Sequence, residues 1–475
     1  MSKEKSRGGF SSTLGFILAA AGSAIGLGNL WRFPYLAAKD GGGIFILIYI
    51  ILALTFGFAL MTTEIAIGRK TKLSPLLAYK QANNKFGLLG ILATIVPVII
   101  FPYYCVIGGW VTKYGFSYIS GQASQIYKAG AGDFFTGFIT ANVSPIVWFL
   151  IFMSICGIVV LLGVEKGIEK ASKVMMPALF IIIIGISVFA LTIKHRDTDG
   201  TVRTALDGLK IYLIPNFKGM TFPKLLTIIL DATGQMFYSM SLAMGIMITY
   251  GSYCRDDSSL VKSVNQIEIF DTGVALLAGL IMIPTVYAFQ GSEGLEAAGP
   301  SLMFISLPSI FEQMGVTGTI IGALFFILVL FAALTSAISL METIASSIID
   351  RFKMSRSKAT VITFLFSLII GLIVCFGYNI WYADIPFPNG STGQILDVLD
   401  YISNSIMLPV VALLTSILIG WICKPEYVTE EVEKGIGDKK FTRKTLYVIM
   451  IKFVSPVLLV LILLQAFNTF GFLDK

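Results

Sequence analysis

Histidine is almost missing from this 475-residue chain: there is one, His195, in a polar loop. That leaves no material for a histidine-built metal centre or proton relay. The five cysteines (Cys105, Cys156, Cys254, Cys375, Cys423) lie in or beside apolar runs without paired spacing. Neither a disulfide framework nor a zinc site follows from them. Charge is scarce as well, 13% of residues, about half of what a soluble chain carries. The strict polar/apolar alternation of a membrane barrel is absent too.

What is present is apolar sequence, 56% of the chain, in long uncharged runs. Each run approaches the roughly 20 residues that a helix needs to cross a bilayer. Eleven spans are predicted: 12–38, 43–68, 88–120, 145–163, 172–193, 225–252, 262–289, 317–350, 359–380, 394–422 and 445–470. The third and eighth are long enough to tilt or to project past the lipid. The segment 298–314 is apolar but short and broken by Pro300 and Pro308, which reads as a loop helix or re-entrant piece. The basic N-terminus before the first run mimics a signal peptide, with "AAAGSA" as its cleavage site, but the apolar character continues beyond it.

Positive charge orients the spans. The loop 69–87 holds Arg69, Lys70, Lys72, Lys80 and Lys85 without an acid, and 351–358 holds Arg351, Lys353, Arg356 and Lys358. With eleven spans these loops share the cytoplasmic side with the N-terminus, and the C-terminus is outside. The net charge of +7 reflects this topology rather than nucleic-acid binding. The expected organisation is a cytoplasmic tail (1–11), a five-span half (12–193), an extracellular loop (194–224), a second five-span half (225–422), a cytoplasmic loop (423–444) and span eleven with the C-terminus (445–475).

Span one contains "GSAIGLGNLWRFP", with Gly22, Gly26 and Gly28 followed by Asn29, Arg32 and Pro34. Glycine costs a helix interior about 1 kcal/mol against alanine, so unwinding here is cheap. Freed carbonyls can then hold a cation, and a half-helix N-terminus can meet an anion. Close helix packing through small residues is the other reading of the glycines. Span six, "DATGQMFYSMSLAMGIMITYGSY", carries Gln235, Ser239 and Ser241 mid-span and then Gly245. Spans one and six hold corresponding positions in the two halves. Paired interruptions of that kind mark an inverted-repeat transporter with its site at the midplane. The fold expected is therefore an all-α integral membrane protein of 5+5 inverted repeats, with helices one and six broken and one extra helix.

"AIGLGNLWRFPY" followed by "DGGG", with "GQMFYSMSLAMG", "FAALTSAISL" and "YYCVIGGW", resembles the neurotransmitter:sodium symporter family, its bacterial amino-acid transporters in particular. The similarity runs along nearly the whole chain, without the twelfth span of many members. The resemblance implies two sodium sites. The first would take the Ala24 carbonyl, the side chains of Asn29 and Ser239, a span-seven side chain and the substrate carboxylate. The second would take the carbonyls of Gly22, Ile25 and Ala332 with the hydroxyls of Thr335 and Ser336. Read alone, "LTSAIS" is an ordinary hydroxyl-bearing helix face. Asp271 stands where relatives carry an asparagine ligand, and Ala275 where chloride-dependent relatives carry serine, which implies chloride independence. Asn265 and Glu268 are near enough that the register can slip, and Asp271 can also be read as a wet residue near a helix end.

Gly26 stands where amine-carrying relatives have aspartate, so the substrate is expected to bring its own carboxylate: an amino acid. Tyr104 and the N–H groups near Leu27 and Gly28 would hold that carboxylate. Carbonyls around Tyr238 and Ser241 would take the ammonium. Ile100, Tyr238, Met244 and Leu340 would line an apolar side-chain pocket; Ala24 also binds the substrate in this reading, and Gly26 leaves room that the substrate carboxylate fills. Met244 is flexible and widens the choice of substrate, whereas Ala243, glycine in some relatives, narrows the pocket. Asp397 and Asp400 share one helix face, and the resemblance pairs Arg32 with Asp400 through water as an outer gate; Arg7 would pair with Asp350 inside, with Phe10 where relatives have tryptophan. Glu64 either snorkels or bonds the unwound backbone of span six. Gly167 and Pro177 mark a stretch of span five that unwinds in relatives, a static kink being the alternative.

An enzyme would need a nucleophile, an acid–base pair or metal ligands, and none is assembled; no catalysis is expected. A channel would need a continuous polar lining. A proton-coupled carrier of the same fold is the closest rival. The expected partners are sodium, an amino acid and the lipid bilayer; oligomeric state is left open.

Overall fold

The computed structural model describes residues 8–196, 200–215, 217, 219–296, 299–434 and 441–467. Among them, nine helices are long and apolar enough to cross a membrane: Gly43–Thr71, Asn84–Ile119, Ser144–Leu161, Val164–Ala190, Leu260–Gln290, Gly315–Phe352, Arg356–Phe376, Ile395–Ile422 and Lys444–Ala466. These coincide with spans two to five and seven to eleven. Span one is a pair, Thr13–Ala24 and Gly28–Lys39, bent by 52°. Span six is Phe222–Ser239 and Ile246–Tyr253, interrupted over 240–245. Both predicted breaks are thus real.

Span eight has 38 residues, which at 1.5 Å per residue is about 57 Å. It outreaches the hydrocarbon core and carries hydroxyls along its buried face, from Thr335 and Ser336 through Ser339, Thr343, Ser346 and Ser347. Those hydroxyls mostly bond back to carbonyls three or four residues earlier, for example Ser339 to Thr335 O at 2.8 Å. Span eight packs on spans one, three and five, so this face lines the centre of the bundle.

The connections hold more structure than the sequence reading placed there. The 298–314 segment is helical over Gly299–Gln313 in three joined pieces, a loop helix and not a crossing. The loop 194–224 contains a hairpin, Lys194–Arg196 against Val202–Thr204, and the helix Ala205–Leu213. Tyr212 from that helix donates to Leu276 O of span seven at 2.9 Å. The loop 423–444 contains the helix Glu426–Lys434, anchored by a fully buried ion pair, Arg69 to Glu431 at 2.7 Å. That pair explains why an arginine in the last turn of span two tolerates burial: the guanidinium also donates to Ser258 O.

Candidate functional site

The two breaks meet at the centre of the bundle, and their open backbone groups are met by side chains. Span one stops at Ala24, and Ile25 is extended (φ −75°, ψ 97°). Asn29 Oδ1 accepts from Gly26 N–H at 3.1 Å. The Tyr104 hydroxyl accepts from Leu27 N–H at 3.3 Å, and Gln235 Nε2 donates to Gly28 O at 3.0 Å. Span six turns through three residues with left-handed backbone, Ser241 (φ 52°), Ala243 (φ 61°) and Gly245 (φ 71°). Two of the three are not glycine, a strained choice in a break that the surrounding structure holds in place. Glu64 Oε1 accepts from Ala243 N–H at 2.6 Å, the second of the two readings of Glu64. Ser241 Oγ donates to Ser23 O at 2.8 Å, tying the two breaks together.

A cluster of polar side chains sits on one side of the breaks. Asn29 Nδ2 donates to Asp271 Oδ1 at 2.8 Å and to Ser239 Oγ at 2.9 Å. Ser239 Oγ lies 2.8 and 3.0 Å from the two Asp271 oxygens. Asn29, Ser239 and Asp271 are all fully buried. Every donor to the Asp271 carboxylate is neutral, and among the described residues it forms no ion pair. A buried carboxylate so placed is compensated by a cation or by a proton. Asn265 and Glu268 turn away to Arg443 of span eleven, at 2.7 and 3.7 Å. Asp271 is the span-seven residue that reaches Asn29, and it is not a wet residue at a helix end.

A second set lies between spans one and eight. Ser336 Oγ is 3.4 Å from Ile25 O and donates to Ser23 O at 3.0 Å. Thr335 Oγ1 is 3.0 Å from Ala332 O. A Cβ on Gly22 would stand 3.2 Å from both Cβ and Cγ2 of Thr335, so the Gly22 backbone passes close to that side chain. Gly22, Ile25, Ala332, Thr335 and Ser336 are therefore brought together. Their oxygens are neutral carbonyls and hydroxyls, hard donors suited to an alkali cation.

Between the sets is a cavity of 20 Å³, lined by Ala24, Gly26, Leu27, Gly28, Ile100, Tyr104, Tyr238, Ser241, Met244, Ser336 and Leu340, with Ser23 and Ile246. All the predicted pocket residues line it. Ala243 does not; its departure from glycine is a matter of backbone strain, not of pocket width. The space is about one water's worth, so an occupant must push the walls apart.

A larger cavity of 390 Å³ is lined by Arg32, Tyr238 and Asp400 among others. Among the described residues Arg32 and Asp400 make no direct ion pair. Asp400 instead accepts from Tyr103 Oη at 3.0 Å and Asn404 Nδ2 at 2.5 Å. The Arg32 guanidinium stands 5.7 Å over the Tyr238 ring. Asp397, one turn earlier on the same helix, caps it, accepting from Gln394 N–H at 2.9 Å. At the other end Asp350 is buried and accepts from Ser74 N–H at 2.7 Å. Its predicted partner Arg7 lies outside the described residues. Phe10 is buried there, edge-on to Tyr250 at 5.5 Å.

Tyr103 and Asn404 beside Asp400 escaped the sequence reading, and so did two participants at the breaks. Tyr49 of span two donates to Ser239 Oγ at 3.1 Å and lies 3.4 Å from Asp271 Oδ2. Nothing in "ILIYIILAL" distinguishes it from a packing aromatic. Ser23 receives hydrogen bonds from spans six and eight through its carbonyl, a role that no side-chain pattern signals.

The family model described as the sodium:neurotransmitter symporter family matches residues 7–125 and 137–473. The chain is 33% identical to the sodium-dependent transporter YhdH of Bacillus subtilis, covering 98% of each chain. It is 26% identical to the sodium- and chloride-dependent glycine transporter 2 of Xenopus laevis, over 97% of this chain and 64% of that one. Its structure is similar to the crystal structure of MhsT in complex with L-phenylalanine, with TM-score 0.84 and 32% identity, covering 97% of this chain and all of that one. Two broken helices tied together at their breaks beside buried polar side chains, and a family match over residues 7–125 and 137–473, lead to one assignment: the chain belongs to the sodium:neurotransmitter symporter family.

Proposed function

We propose that the chain is a carrier that takes up hydrophobic and aromatic L-amino acids together with sodium, by alternating access and without chloride. The observation that carries this is Asp271, a buried carboxylate whose partners are the neutral donors Asn29, Ser239 and Tyr49. Sodium at Ala24, Asn29, Ser239 and Asp271 would compensate that charge, and the substrate carboxylate would complete the site, which couples ion to substrate. Because Asp271 supplies a fixed negative charge, a chloride ion has no charge left to balance. A second sodium would bind Gly22, Ile25, Ala332, Thr335 and Ser336 and hold span one against span eight.

The lack of a carboxylate at Gly26 supports an amino acid over a bare amine. Tyr104 and the Leu27 and Gly28 N–H groups would bind the substrate carboxylate, and the span-six carbonyls its ammonium. The walls offered to the side chain, Ile100, Tyr238, Met244 and Leu340, are apolar or aromatic and carry no formal charge. MhsT, the structural neighbour, was solved with L-phenylalanine, which supports an aromatic or large aliphatic substrate. In this reading Arg32 and Asp400 face the extracellular side, Asp350 and the N-terminus the cytoplasm, and the C-terminus lies outside. No catalytic step is involved. Equilibrium binding of radiolabelled L-phenylalanine to the purified chain tests the reading: binding should need sodium and survive replacement of chloride by gluconate, and leucine and tryptophan should compete where lysine and glutamate do not.

A further inference from the structure

One buried carboxylate takes no part in the site described above. Glu169 is 1% exposed and lies at the end of the π-helical turn Val164–Glu169 that opens span five. Its oxygens accept from Ser11 N–H at 2.7 Å, Ser11 Oγ at 2.7 Å and Ser12 Oγ at 2.9 Å, and Lys173 Nζ stands 2.7 Å away. Ser12 is the N-cap of Thr13–Ala24, its hydroxyl also accepting from Gly15 N–H at 3.0 Å. The carboxylate therefore closes the free end of the half-helix whose other end forms the break. It gets there because position 15 is glycine: a Cβ at Gly15 would collide with the Glu169 side chain.

We propose that Glu169 is a positioning residue for the transport cycle, holding the start of span one against span five so that the inner passage stays shut until the π turn relaxes. This rests on the alternating-access reading above. A π turn carries one residue more than an α turn, and each residue of helix is about 100° of rotation. Relaxing the turn before Lys170 would swing Glu169 off the face that meets Ser11 and Ser12. Gly167 sits inside that turn, with no room for a side chain against Val159 O, and Pro177 leaves the helix beyond it one hydrogen bond short. The passage that would open is covered by Phe10, two residues before Ser12, which packs edge-on to Tyr250, and the Tyr250 hydroxyl in turn meets Ser339 Oγ at 2.7 Å. Hydrogen bonds to a charged group are each strong enough to shift a two-state balance by about tenfold.

The test uses the full chain with its five cysteines replaced and one reporter cysteine, Ser339→Cys, at the far end of that passage. Thiol labelling from the cytoplasmic side is timed with and without sodium. Sodium should slow labelling in the reporter chain; if it does not, the alternating-access reading fails, independently of the latch. Glu169→Gln should label about tenfold faster in sodium, Glu169→Asp should restore most of the slow rate, and Ser11→Ala with Ser12→Ala should speed labelling with no further gain from adding Glu169→Gln. Labelling of Glu169→Gln at the unaltered rate, while sodium still slows both, would overturn the proposal. So would additive effects of the serine and glutamate substitutions, which would show that they act apart.

Discussion

The Asn29 side-chain amide donates to Asp271 Oδ1 at 2.8 Å, joining the broken span one to span seven within a fully buried cluster. Asn29 also accepts from Gly26 N–H, so one side chain both repairs the break and faces the carboxylate. The sodium reading turns on this pair.

Asp271→Asn keeps the shape of the cluster and removes its charge. The sodium concentration for half-maximal binding should rise by at least about tenfold, since two charges a few Å apart at an effective dielectric near 20 interact by more than the 1.4 kcal/mol that tenfold represents. Adding Ala275→Ser should make binding respond to chloride. Sodium titrations of radioligand binding in chloride and in gluconate give both results.

Gly26 has little room for a side chain: a Cβ there would stand 2.8 Å from Ser336 Oγ and 3.1 Å from Tyr104 Oη. Gly26→Ala should raise the KM for the amino acid by about tenfold, and Gly26→Asp should abolish its binding, because a second carboxylate would face that of the substrate. Uptake kinetics and radioligand binding measure the two.

Tyr104→Phe removes one donor proposed for the substrate carboxylate. Hydrogen bonds to charged groups contribute about 1.5–3 kcal/mol, so the substrate Kd should rise by roughly 10- to 100-fold. Sodium binding at the Thr335 and Ser336 set should be little changed, which a sodium-dependent thermal shift without substrate would report.

Met244 lines the 20 Å³ cavity and is its most adaptable wall. Met244→Phe should exclude tryptophan and weaken phenylalanine while sparing leucine, and Met244→Ala should favour the larger side chains. A competition panel against a labelled substrate shows the order.

Asp40, just past the end of span one, should make the stability of the fold depend on pH. Burial first, and the neighbouring Asp231 charge second, push its carboxyl from 3.8 up to about 7. The folded chain thus keeps a proton there that the unfolded chain gives up. Stability should fall as pH rises between those two values and level off above them. Asp40→Asn, which stays neutral, should flatten that slope and unfold at a higher temperature than the native chain at pH 8; melting curves in detergent across pH 4 to 8 compare them.

Much of the site is legible in the sequence because the bilayer leaves few explanations for polar residues inside it. Gly22, Asn29, Gln235, Ser239 and Asp271 stand out against apolar surroundings, and all are at the breaks or beside them. The pairing of two interrupted helices is legible for the same reason. Tyr49 and Ser23 were hidden because an aromatic and a small residue are ordinary in packed helices, and only the tertiary fold turns them to the cluster. Asp397 and Asp400 share a helix face in sequence, yet the structure gives one to the helix end and the other to Tyr103 and Asn404 beside the cavity that Arg32 also lines. The helix Glu426–Lys434 was missed because its anchor is Arg69, more than 350 residues away, and the left-handed Ser241 and Ala243 because side-chain type carries no mark of such strain.

The central claim, that a sodium gradient drives amino-acid accumulation, is tested most directly by uptake of L-phenylalanine into proteoliposomes holding the purified chain. With sodium gluconate outside and potassium gluconate inside, the label should concentrate above the external level and leak away when a sodium ionophore dissipates the gradient. Replacing external sodium with choline should abolish accumulation. Equal accumulation in choline, driven by an imposed proton gradient, would contradict the account and favour the proton-coupled carrier.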